Sequence, residues 1–253
     1  MTDCGSQRSG ATPPKGVVPL KDAPSGQPLE VVAISNHELA QELARTGLQE
    51  GVELVKSARD IPLATLRVRG PKGDAVLSGK MASIIMVHLD DGRKAPLLEL
   101  EPGEQGHVEG LTATTPITKA FATLGLREND RITLVRRLPP MDYIALMDGR
   151  RRLKISEDVA AKIWGRMGGR ELQFSMTKSG EPFEILELFG GPPRQAQMRA
   201  MGLAQGKRLV LEGVEQAQTV SLGEQHPVAV TTVDGLRVLL HPQAARETLV
   251  RVK

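Results

Sequence analysis

Cysteine is almost absent from this chain of 253 residues, whose one thiol is Cys4. That count excludes an internal disulfide framework and a closed zinc site of Cys and His, and it fits a reducing compartment. Aromatic residues make up only 2 %. The cores must therefore be built from Val, Leu, Ile and Met, and both base stacking and an aromatic-lined groove for Pro-rich peptides are poorly supported. Charge of one sign is also scarce, with a formal net charge of +3, which argues against a nucleic-acid binder. The densest basic cluster, Arg150-Arg151-Arg152 with Lys154, reads as a solvated turn entering a strand. No run approaches the roughly 20 apolar residues of a membrane span. The first residues lack the apolar core of a signal peptide, so no membrane insertion and a cytoplasmic location are expected.

Catalytic signatures are missing too. There is no Gly-x-Ser-x-Gly and no Gly-x-x-x-x-Gly-Lys-Ser/Thr, hence no phosphate-binding loop of that type. The histidines His37, His88, His107, His226 and His241 are scattered. The expectation is a protein that is not an enzyme.

What is present is repetition. A helical phrase ending in Gly-Leu occurs at 38–48, 117–126 and 194–203, with its glycines at Gly47, Gly125 and Gly202. A second phrase follows each: Leu77 to Ala82, Ile155 to Ala160, and Leu240 to Ala245. The third copy carries an insertion around Gly213 to Gln225. Two phrases at matching separation in three places define tandem units. The expected ranges are a disordered tail at 1–16, poor in core-forming residues, then domains at 17–90, 95–166 and 170–253. Segments near His88–Ala95 and Gly165–Arg170 are expected to be short linkers, giving a compact or semi-rigid row.

Within each unit, period-two alternation predicts short strands. The glycine should end the helix in a left-handed conformation. Ser78 and Ser156 are candidate caps for the later helical turn, and Pro242 suits its first position. Met81, Met86, Met141, Met147, Met198 and Met201 read as core filler. Arg136 to Met141, containing Pro139-Pro140, reads as a loop. The fold class expected is mostly β with a small α component: three tandem SH3-like β-barrels, each with one short helix and one helical turn.

The pattern resembles the FeoA (ferrous iron transport protein A) family over about 235 residues. Copy one carries it in Leu43, Gly47, Leu48, Gly51, Leu77 and Ala82. Copy two carries it in Leu124, Gly125, Leu126, Ile155 and Ala160, with Asn129 at the third glycine position. Copy three carries it in Met198, Gly202, Leu203, Gly206, Leu240 and Ala245. These are fold-specifying positions. The resemblance implies a bacterial, cytoplasmic accessory role in ferrous iron uptake, with a FeoB-type membrane GTPase as partner.

Two other readings stand beside it: a metal-binding or iron-sensing module, and an interaction scaffold unrelated to iron. No cofactor is certain; ferrous iron or another divalent transition metal is the open candidate. Its weak ligand candidates are His37 with Glu38 and Glu42, His88 with Asp90 and Asp91, and His226 with Glu224. Three fused copies would also allow an intrachain pseudo-trimer, one chain replacing a homotrimer.

Overall fold

The computed structural model describes residues 16–59, 63–112, 116–217 and 226–253, and of Pro116 only the backbone. Residues 1–15 of the tail expected at 1–16, and residues 218–225 of the insertion around Gly213 to Gln225, lie outside these ranges. Each copy runs through the same elements. Copy one has β1 (Val17–Pro19), β2 (Pro28–Ile34), α1 (His37–Arg45), β3 (Glu53–Lys56), β4 (Thr65–Gly70), β5 (Gly73–Leu77), α2 (Gly79–Ala82) and β6 (Ile85–Leu89). Copy two has β7 (Lys94–Pro96), β8 (Gln105–Leu111), α3 (Pro116–Leu124), β9 (Arg131–Leu138), β10 (Met141–Met147), β11 (Arg151–Ser156), α4 (Glu157–Ala160) and β12 (Ile163–Met167). Copy three has β13 (Arg170–Gln173), β14 (Pro182–Leu188), α5 (Pro192–Ala200), β15 (Arg208–Gln216), β16 (Val228–Thr232), β17 (Arg237–Leu240), α6 (Pro242–Glu247) and β18 (Thr248–Val252).

The protein is mostly β, and its strands form three six-stranded antiparallel sheets, consistent with tandem SH3-like domains. The sheets do not follow the copies. The first has the order β1-β18-β2-β3-β16-β17, the second β7-β6-β8-β9-β4-β5 and the third β13-β12-β14-β15-β10-β11. The order is the same each time, but every sheet joins the front half of one copy to the back half of another. The expected ranges 17–90, 95–166 and 170–253 are therefore periods of the sequence, offset by half from the packed sheets.

One of the three crossings lies between β9 and β10, which are separated only by Pro139-Pro140. A two-residue hairpin needs positive φ in its loop, and proline is locked near −65°. The chain cannot fold back there, so it continues from the second sheet into the third. Arg136–Leu138, read as loop, are the end of β9. The last strand, β18, pairs with both β1 and β2, so the two ends of the chain share the first sheet.

The expected linkers are hairpins. His88 pairs with Lys94 between β6 and β7, and Met167 with Arg170 between β12 and β13. The glycines that end the long helices, Gly47, Gly125 and Gly202, have φ of 89°, 75° and 90°, and Asn129 takes φ 66° where the other copies have Gly51 and Gly206. The leucines that follow, Leu48, Leu126 and Leu203, are buried, as are Leu43, Leu77, Ala82, Leu124, Ile155, Ala160, Met198, Leu240 and Ala245. Met81, Met86, Met147 and Met198 are buried as well, while Met141 and Met201 pack at the margin of the third core.

The cores merge across the sheets. The cluster of the second sheet takes in Phe189 from the third copy and Ala229 and Leu239 from the first sheet. Polar ties cross as well. Gln173 donates from Nε2 to the carbonyls of Val76 and Ala161 at 2.7 and 2.6 Å, and accepts from the Val76 amide at 2.8 Å. The Thr112 hydroxyl donates to the Leu239 carbonyl at 2.6 Å.

Candidate functional site

Two places concentrate chemistry. The first is a cavity of about 420 Å³ between the three sheets. Its lining repeats the threefold pattern. Leu39, Ile117 and Arg194 occupy the same place on α1, α3 and α5, each eight residues before its helix-ending glycine, and all three face the cavity. Ile84, Lys162 and Glu247 are likewise equivalent, just before β6, β12 and β18, and also line it. A homotrimer would place three identical side chains there. Here one wall has become apolar and another charged.

The charged wall is an internal network. Lys162 pairs with Asp158, and Asp158 also pairs with Arg194 at 3.2 Å. Burial and the neighbouring cations Arg194 and Lys80 push the Lys162 ammonium down to about 8, against the pull of Asp158. Burial would raise Asp158, but Lys162, Ser78 and Arg194 hold it down at about 2. His241 is held below the usual imidazole range by burial and by Lys80 and Lys162. It accepts from the Gln243 amide at 3.2 Å and so caps α6, with Pro242 at the first position. Ser78 and Ser156 sit at the caps of α2 and α4 but make no side-chain capping bond. The Ser78 hydroxyl is instead engaged across the sheets, accepting from Lys162 Nζ at 3.4 Å. The two ion pairs lie within the segments that build the third sheet, and the Lys162–Ser78 contact crosses to the second; the arrangement balances buried charge and leaves no member unpaired.

The second place is on the face of the second sheet. His88 on β6 and His107 on β8 are direct cross-strand partners. Their rings lie 4.8 Å apart between centroids. Glu109 reaches both, with its Oε2 3.6 Å from His88 Nδ1 and 3.7 Å from His107 Nε2. All three side chains are half-buried. Lys94 on β7, the partner of His88 on its other side, forms an ion pair with Glu109.

The candidate ligand sets from sequence fare unevenly. Asp90 and Asp91 do not join His88; they bond Arg131 and Arg93. His37 is exposed and sits 3.1 Å from the Gln41 side chain, while Glu42 pairs with Arg45. His226 is exposed, and Glu224 lies outside the described residues. Among the described residues, one group brings three such side chains together, and it is His88, His107 and Glu109. Sequence reasoning found His88 but missed its partners. The alternation His107-x-Glu109 was the available signal, and only the strand register adds His88 to it.

Residues 95–167 match the model of the FeoA domain. This segment runs from β7 to β12, so that one family domain contributes strands to the second and third sheets. Comparison with curated proteins and with solved structures returned no match.

Proposed function

We propose that this chain, which contains a FeoA domain at residues 95–167, is a non-enzymatic, cytoplasmic accessory protein of ferrous iron transport acting by contact on a FeoB-type membrane GTPase. The family match carries the reading. The three-sheet construction supports a contact role, since one chain presents three related but diverged surfaces. Buried polar groups such as Lys162, Asp158 and Gln173 are engaged in internal bonds, which favours adhesion over turnover. No helix among the described residues is long and apolar enough to cross a membrane, so a membrane partner would be met at its surface.

The test is capture from native cells with the tagged full-length chain as bait, with and without ferrous iron, followed by mass spectrometry. Reproducible recovery of a FeoB-type GTPase is expected. Recovery of an unrelated partner in its place would assign the protein to an interaction scaffold outside iron uptake.

A further inference from the structure

We propose that His88, His107 and Glu109 form a binding site for a borderline divalent transition-metal ion, with Lys94 as the side chain the ion displaces. The inference rests on the site's own chemistry and not on the identity of any partner protein.

Two imidazoles and one carboxylate, with further positions left open to solvent, form a ligand set suited to first-row divalent ions such as Fe²⁺, Co²⁺ and Zn²⁺. Here the three ligand atoms already lie within 4.8 Å of one another. Small side-chain rotations would bring them to the ~2.0–2.2 Å metal–ligand distances of such sites. The scaffold is a sheet, which holds the Cα positions, and the side chains are partly accessible, leaving an entry path.

The strand geometry explains how the third ligand arrives. Along the β6–β8 ladder Met86 pairs with Gly110 and Val87 with Val108. Glu109 is therefore the extra residue of a β-bulge, unpaired in the ladder and free to lean over the His88–His107 pair while keeping the face that alternation gives it. That bulge recurs in the other two sheets, where the extra residue is Val32 or Leu186.

The sister sheets supply an internal control. The place of the His88–His107 pair is taken by Arg166–Glu184 in the third sheet and by Arg251–Glu30 in the first. Two copies thus place opposite charges there, a pairing that stabilises a ladder without help. In the second sheet both positions are imidazole and the bulge residue is a carboxylate. That combination turns a structural pair into a ligand set. Lys94, ion-paired to Glu109, supplies the positive charge that the metal would provide when bound.

The test is a Co²⁺ titration of the untagged full-length protein carrying Cys4→Ser, followed by visible absorption and by Zn²⁺ competition. One equivalent of Co²⁺ per chain is expected, displaced by Zn²⁺. His107→Ala and Glu109→Gln should each weaken binding at least tenfold, and Lys94→Met should tighten it severalfold. The double variant His88→Arg/His107→Glu installs the pair the sister sheets already accommodate. It should keep the wild-type melting temperature and lose the Co²⁺ signal. The proposal is overturned if the wild type takes up no stoichiometric Co²⁺, or if the folded double variant binds as well as the wild type.

Discussion

Glu157 is the residue whose environment is most at odds with its charge. It opens α4, is 4 % exposed, and leaves Oε1 without a partner, while Oε2 accepts from the Met141 amide at 3.3 Å. Burial pushes its carboxyl up to about 7, and bonds from Thr65 and Met141 only partly oppose this. A folded-state value above the unfolded one means that the protonated form favours folding. That contribution is full below about 4.5 and is lost as pH rises through about 7. Glu157→Gln should therefore flatten the stability profile between these limits. It should raise unfolding free energy at pH 8 by on the order of 2 kcal/mol, with little change at pH 4.5. Denaturant melts of both proteins at the two pH values check this; an equal effect at both would point to packing instead. Nothing in the sequence announces this residue, since its burial arises where the back half of one copy meets Thr65 of another.

At the scale of elements the sequence was far more legible. Alternation located β4, β9, β10, β14 and β15, because each has one face in a core and the other more open to solvent. The helix-ending glycines were legible because a left-handed residue has few substitutes. The short strands β1, β7 and β13 were not, since three or four residues are too few to show a period. The repeats also imply an experiment. Gly51 has no heavy atom within 4 Å of an added Cβ, and Asn129 holds the equivalent position with φ 66°. Gly51→Asn should thus change stability by less than ~0.5 kcal/mol. Gly47 has the same handedness, but a Cβ there would meet Leu236 Cδ2 at 2.8 Å. Gly47→Asn should destabilise by about 1–2 kcal/mol. Thermal melts of the pair, equal in chemistry and unequal in space, decide the matter. The candidate metal ligands divide similarly: the His107-x-Glu109 alternation is local, whereas His88 joins it only through a register set by the β6–β8 bulge.

For the whole molecule, period and packing unit are different objects. A repeat in sequence fixes which elements recur; it does not fix which copy completes which sheet, and the chain passes to another sheet between β3 and β4, β9 and β10, and β15 and β16. It follows that residues 95–167, although they match the family model, should not form a folded monomer alone. Their strands β7–β9 and β10–β12 belong to two different sheets. The isolated fragment should be unfolded, or should recover structure only by exchanging strands with further copies of itself. Light scattering with circular dichroism checks this, and a folded monomer would mean that the prolines permit a hairpin after all.

The shared first sheet also has a consequence in time. β2 and β3 leave the ribosome ~170 residues before β16, the strand that β3 must pair with, and at 5–20 residues per second that interval is roughly 10–35 s. Through that period β3 offers an unpaired edge to every nascent neighbour. The second and third sheets can close as their strands emerge, while the first must wait for β16, β17 and β18. Synthesis of this chain is therefore a race between the arrival of residues 228–252 and aggregation of residues 17–56, and products that stop before β16 will lose it.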